Sequence, residues 1–198
     1  MKTINLIGAS GHAKVVIDVV EEVGYRVGQI FDKDELKKEI LGFEICHNFS
    51  NLPERTVIAI GDNYIRKRIA EANSFNLEAL VHPKSSVSKY SEIGNGTVIM
   101  SGVSINADAK IGRHCIVNTN SSVDHDCIIS DFVHISPNAA LAGNVEVGES
   151  SHIGIGACIK QGVKIGRSCI IGAGAVILRD VPDGAVVVGN PGKGINRN

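Results

Sequence analysis

Residues 93–122 read IGNGTV IMSGVS INADAK IGRHCI VNTNSS, five consecutive hexads that each open on an aliphatic side chain. Carried outward, the register runs through Val81, Val87, Ile93, Ile99, Ile105, Ile111, Val117, Val123 and Ile129. It continues through Ile135, Leu141, Val147, Ile153, Ile159, Ile165, Ile171 and Ile177. If about a quarter of residues are Val, Ile or Leu, an unbroken run of this length arises by chance on the order of once in 10¹⁰. Four residues after each aliphatic comes a small or slim side chain, from Thr97, Val103 and Ala109 to Cys169 and Ala175. One residue after it glycine recurs, at Gly94, Gly112, Gly148, Gly154, Gly166 and Gly172. A period of six fits neither a 3.6-residue helix nor an alternating strand. It fits a hexapeptide β-helix, each unit a short strand and a turn. The aliphatic is expected to point inward, the small residue to pack beside it, and the glycine to supply backbone freedom at the turn. Three units make an 18-residue coil, so residues 81 to about 180 give five to six coils, a prism about 25 Å long.

Composition agrees with a folded chain. Of 198 residues 43% are hydrophobic, only 4% are aromatic, and there is no Trp, so a core must be aliphatic. A net charge of −1 gives no electrostatic case for nucleic acid or an anionic membrane. No stretch approaches 18 uncharged apolar residues, so no membrane insertion is expected. Five cysteines (Cys46, Cys115, Cys127, Cys158, Cys169) form no C-x-x-C pair, and three fall at the small inward phase, as core filler. With no export signal, the chain reads as reduced and cytoplasmic.

Residues 1–80 follow a different pattern. KTINLI at 2–7 reads as a strand, 13–23 as an amphipathic helix, 26–31 and 57–60 as strands, and 64–73 as a helix. Strands alternating with helices predict a small Rossmann-like α/β domain, followed by the β-helix domain at 81–198 with its tail. Gly8-Ala9-Ser10-Gly11-His12 lacks the three spaced glycines of a dinucleotide fingerprint. A glycine turn opening a helix still makes an anion cradle, or else merely a tight connection. Ser10, Gly11, His12, Asp32 and Gly61 all fall at the carboxyl ends of strands, where such sheets bind ligands.

Among seven histidines, His125 sits in the triplet Asp124-His125-Asp126, which interrupts the coil pattern. An imidazole beside a carboxylate can serve as a general base, and the triplet can equally be a solvated turn. His134 and His152 are one coil apart and should stack on one face. That stacking could suggest a metal, but the spacing of His114, His125, His134 and His152 does not resemble that of the zinc-binding β-helix proteins of the carbonic anhydrase type. Zinc also needs about three converging ligands, so no metal is expected.

The segments GASGH at 8–12, AIGDN at 59–63, NTNSSVDHD at 118–126, SDFVHISP at 130–137, LAGNVEVG at 141–148 and VVGNPGK at 187–193 carry a resemblance over essentially the whole chain. It is similar to the bacterial sugar acetyltransferase family that includes UDP-4-amino-sugar N-acetyltransferases and sialic acid O-acetyltransferases. The resemblance implies a left-handed β-helix, acetyl-CoA as co-substrate, a nucleotide-activated amino sugar as acceptor, and a homotrimer with active sites between prisms. It implies His125 as general base, oriented by Asp126 where the family's pattern has the longer Glu. It implies His134, Gly143, Ile155 and Ala173 as coenzyme contacts, with the Gly143 amide facing the thioester oxygen. Ser10, Gly11, His12, Asp32, Lys33 and Gly61 are implied as acceptor contacts. The expected activity is acetyl transfer to the 4-amino group of a nucleotide-linked amino-dideoxy sugar. The rivals are O-acetylation of sialic acid or another sugar hydroxyl, and a non-catalytic scaffold.

Overall fold

The six-residue register is realised strand for strand. The computed structural model describes residues 2–195. Among these, seventeen two-residue strands run from Leu80–Val81 to Val176–Ile177, and each ends on one of the seventeen aliphatics of the repeat. Each strand from Leu80–Val81 to Cys158–Ile159 pairs in parallel with the one 18 residues on, as Ile116–Val117 pairs with His134–Ile135. The result is a parallel β-helix with three faces. The first face carries the strands at 80–81, 98–99, 116–117, 134–135, 152–153 and 170–171; the second starts at 86–87 and the third at 92–93. A final antiparallel hairpin, Val186–Val188 with Lys193–Ile195, continues the first face.

Inside the coil the aliphatic and small columns form one apolar core. Hydroxyls within it are satisfied by the coil itself. Thr97 Oγ1 donates to the Gly112 carbonyl at 2.7 Å and accepts from the Cys115 amide at 2.9 Å. Ser151 repeats the arrangement with Gly166 and Cys169 three coils later. A hydroxyl bonded on both sides is cheap to bury. Cys115, Cys127 and Cys169 are buried core residues, while Cys158 is exposed.

The glycines do a different job from the one expected. The positive φ recurs two residues later in the hexad, at Asp108, His114, Asn120, Asp126 and onward. Gly94 and Gly148 instead sit where a Cβ would come 2.6 Å from backbone atoms of the next coil. They are required by close approach between coils, not by backbone freedom.

The first part of the chain forms β1 (Thr3–Ile7), α1 (Gly11–Glu22), β2 (Arg26–Phe31), β3 (Glu39–Ile40), β4 (Phe43–Cys46), β5 (Thr56–Ile58) and α2 (Asn63–Glu71). The sheet order is β3-β4-β2-β1-β5, parallel except for β3. The β3–β4 hairpin was not expected from sequence. Its turn places Leu41 at φ 49° and Gly42 at φ 81°, and leucine in a left-handed conformation leaves no turn signal to read. A second apolar cluster joins Ala13, Val16, Ile17 and Val20 of α1 to Leu80, Val98, Met100 and Ile116 of the coil's first face. The α/β part is therefore packed onto that face. No helix among the described residues is long and apolar enough to cross a membrane.

Candidate active site

His125 lies at the corner between the second and third faces. The triplet does not interrupt the coil: Ser122–Val123 and Ile128–Ile129 keep the regular 18-residue pairing on either side. It is an ordinary corner whose side chains point out, with His125 and Asp126 both more than half exposed, at 55% and 57%. His125 Nδ1 is 2.7 Å from Asp126 Oδ2, so the shorter acid does reach the ring. A carboxylate fixes the proton on Nδ1 and leaves the Nε2 lone pair outward. The Asp126 hydrogen bond, aided by Asp124, holds the His125 pKa above its usual 6.5. Asp124 is itself pinned by Asn106 Nδ2 at 2.7 Å and accepts the His125 amide at 2.8 Å. One coil on, Gly143 lies under the ring: a Cβ there would come 2.6 Å from His125 Cε1 and 2.7 Å from Nε2.

A second group forms where the α/β part meets the first face. His134 and His152 are register partners with ring centroids 4.7 Å apart, and His12 lies 6.1 Å from His134. His134 Nδ1 is 3.3 Å from the Gly61 carbonyl and Nε2 is 3.2 Å from Asn118 Nδ2. His152 Nε2 meets Ser136 Oγ at 3.0 Å. Burial pushes His134 down to about 3, with His152, Arg66 and His12 adding to it, and burial plus Arg66 pushes His12 down to about 4. These rings are neutral at physiological pH. His12 Nε2 is buried with no hydrogen-bond partner, an acceptor or donor left for something else. His134 and His152 meet edge-on and His12 is tilted to His134, and among the described residues no group of three metal-ligating side chains is assembled.

At the carboxyl end of the sheet, a cleft of about 560 Å³ is lined by Gly8, Phe31, Asp32, Lys33, Phe49, Ile60, Ile65, Arg68 and Asn73, among others. Gly8 is indispensable to its floor: φ is 109°, and a Cβ would lie 2.7 Å from the Ala59 carbonyl oxygen. A Cβ at Gly11 would meet nothing within 4 Å. Asp32 holds the turn rather than standing free. Its Oδ2 accepts from the Ala9 amide at 2.7 Å and from Lys37 Nζ at 3.0 Å, and its Oδ1 accepts from the Asp34 amide at 2.9 Å. Burial would raise its pKa, but these donors outweigh it and hold the carboxyl below its usual range. Lys37 also donates to Ser10 Oγ at 2.9 Å.

The expected residues thus fall in three places within one chain. His125, Asp126 and Gly143 share one corner. Ile155 and Ala173, exposed and one coil apart, lie along the opposite edge of the second face, where it meets the first. Ser10, Gly11, His12, Asp32, Lys33 and Gly61 belong to the α/β part. Sequence reading chose Lys33, whose ammonium lies 5.8 Å over the Phe49 ring, and missed Lys37. It also missed Arg66 and the Asn118–His134 contact, although Asn118 stood inside a quoted segment.

Comparison with known proteins finds relatives of both parts of the chain. Residues 3–72 match the PglD N-terminal domain model, and residues 90–125 and 144–179 match the bacterial transferase hexapeptide (six repeats) model. The UDP-N-acetylbacillosamine N-acetyltransferase of Bacillus subtilis (strain 168) is 37% identical over 118 residues, 51% of this chain. The match covers 52% of that protein, so the chain spans about half the length of this curated relative. The acetyltransferase domain of PglB from Neisseria gonorrhoeae FA1090 is 40% identical, with 98% of this chain and 100% of that one covered and a TM-score of 0.91. PerB from Caulobacter crescentus, solved with CoA and GDP-perosamine, is 39% identical over 99% and 98% of the two chains, with a TM-score of 0.93. With relatives of that identity aligned end to end, this chain belongs to the bacterial hexapeptide-repeat sugar acetyltransferases with a PglD-type N-terminal domain.

Proposed function

We propose that the chain transfers an acetyl group from acetyl-CoA to the 4-amino group of a nucleotide-linked amino-dideoxy sugar. The observation that carries this reading is the His125 corner: an outward Nε2 lone pair, a carboxylate on Nδ1, and a glycine backbone directly beneath. The amine nitrogen attacks the thioester carbonyl carbon, and His125 Nε2 takes the proton the nitrogen loses. The Gly143 N–H donates to the tetrahedral oxyanion, which collapses as the C–S bond breaks and the leaving thiolate takes the proton from His125 to depart as the thiol. Both relatives named above with curated or ligand-bound evidence act on, or hold, nucleotide-linked sugars. In this chain, residues 1–80 supply the sugar-nucleotide pocket, with Phe31, Phe49 and Ile65 for a flat base and Lys33 and Arg68 for phosphate charge. Residues 81–198 hold acetyl-CoA along the edge carrying His134, Ile155 and Ala173.

The second face separates His125 from that edge, so the reading needs a second copy. The strip of outward residues on this face is small and uncharged (Ser86, Ser104, Ser122, Ala140, Cys158, Val176), suited to close packing against another prism. A homotrimer of about 63 kDa, built from chains of 20.9 kDa, brings the corner of one copy to the edge of the next. The test is thiol release from acetyl-CoA against a panel of UDP- and GDP-linked 4-amino sugars and free sialic acid. Release with an amino sugar nucleotide supports the reading; release with sialic acid alone replaces it by O-acetylation, and release with none removes it.

A further inference from the structure

We propose that Arg66 is a positioning residue for acetyl transfer: it registers the sugar-nucleotide pocket against the coil by tying the Gly61 loop to corner carbonyls of successive coils. Arg66, on α2, is 1% exposed and all five of its N–H donors are engaged. Nη1 donates to the Ile60 and Gly61 carbonyls at 3.0 and 3.2 Å, at the rim of the pocket. Nε donates to the His114 carbonyl at 2.8 Å, and Nη2 donates to the Phe132 carbonyl at 2.9 Å and to Asn63 Oδ1 at 2.7 Å. Asn63 in turn donates through Nδ2 to the Ser150 and Ser151 carbonyls, both at 3.0 Å.

His114, Phe132 and Ser150 are 18 residues apart, the same corner of three successive coils. All three have positive φ, at 51°, 61° and 60°. Among the described residues no backbone amide donates to their carbonyls, so the corner presents a ladder of acceptors. Helix α2 reads that ladder with two side chains one helical turn apart.

The same anchor sets the state of His134. Gly61 is a shared acceptor, taking Arg66 Nη1 and His134 Nδ1. A carbonyl only accepts, so the proton of the neutral ring must sit on Nδ1, and Nε2 is left as an acceptor for Asn118 Nδ2. His12, His152 and Arg66 face this ring, and burial beside the Arg66 charge keeps it neutral. If Arg66 loosens, the Gly61 carbonyl, the His134 tautomer and the pocket's registry move together.

This inference rests on the acyl-transfer reading for its kinetic arm only. Full-length Arg66→Lys, whose ammonium has three donors for five acceptors, is assayed well below its melting temperature. Turnover per folded protein should fall by about tenfold to a hundredfold, as for a small misplacement remote from the chemistry. Acceptor affinity by calorimetry should change less than turnover, because Arg66 touches only the rim of the cleft. In ¹⁵N histidine spectra, wild-type His134 should be neutral with its proton on Nδ1, and the variant should populate the Nε2-protonated form. Asn63→Ala, which frees one Arg66 donor and unties Ser150, should show the same changes at smaller size and covers the case of a variant that fails to fold. Wild-type turnover with an unmoved His134 tautomer in either folded variant overturns the proposal, as does a wild-type His134 protonated on Nε2. The spectra need no turnover, so a chain that acetylates no sugar nucleotide leaves that arm standing.

Discussion

Two regions of one solenoid use histidine in opposite ways. At the His125 corner the ring is exposed, a carboxylate lies 2.7 Å from Nδ1, and the pKa is held above 6.5. On the first face His134 is buried without a carboxylate, faces other histidines and Arg66, and is pushed to about 3. The first ring can accept a proton near neutral pH and give it up again. The second stays neutral and can only offer a fixed donor and acceptor. Residue type therefore does not set the role; solvent and the neighbouring charge do.

The sharpest way to break this contrast is His125→Ala. Loss of a positioned base should cut turnover by at least about a hundredfold, with the fold intact because the side chain leaves an exposed corner. Steady-state thiol release checks it, and a variant retaining more than about a tenth of wild-type turnover would move the base elsewhere. Gly143→Ala should come next. Its φ is unstrained, but the new Cβ would sit 2.6 Å from the His125 ring, so the ring must shift. Turnover should drop by about tenfold while the melting temperature changes little.

Asp126→Asn should cost less than either, because the ring remains and only its tuning is lost. Its sign in pH is distinct. The base form of His125 exists above its raised pKa, so wild-type activity fades as pH falls through that value. Removing the carboxylate lowers this ionisation, so the variant's pH profile should extend further into acid at a lower plateau.

The smallest effect concerns stability. His12, His114 and His134 have folded-state values of about 4, 4 and 3, below the unfolded 6.5. Protonation therefore accompanies unfolding, and stability is present above pH 6.5 and lost as pH falls from there toward 4. Melting temperatures across that window should decline, and His134→Gln should decline less steeply than wild type.

The coil was legible because its signal repeats: each of the aliphatics from Val81 to Ile177 ends a strand. One repeated feature was still misread. Glycine after the aliphatic looked like a turn residue, and only the spacing between coils shows that a Cβ there would strike the next backbone. The α/β part carries no repetition, and its elements were found only where apolar pattern marked them. Leu41 in a left-handed turn hid the β3–β4 hairpin. In the site, His125 and Asp126 were readable because they adjoin in sequence. Arg66 was not, since its acceptors lie 48 and 66 residues away and are backbone carbonyls with no sequence signature. Lys37 was passed over because nothing in its spacing from Ser10 and Asp32 marks that its ammonium reaches both. For Asn118 a signal existed: it precedes His134 by 16 residues, the offset that also joins Ser136 to His152.

The central claim is that acetyl transfer occurs at a site shared by two copies, with the His125 corner from one and the His12–His134 face from its neighbour. Mixing two inactive proteins, His125→Ala and His134→Ala, after dissociation and reassembly tests this directly. The account predicts that thiol release returns in the mixture, with about a quarter of sites rebuilt from wild-type halves on random exchange within a closed ring. Mixed assemblies that form and stay inactive would contradict it.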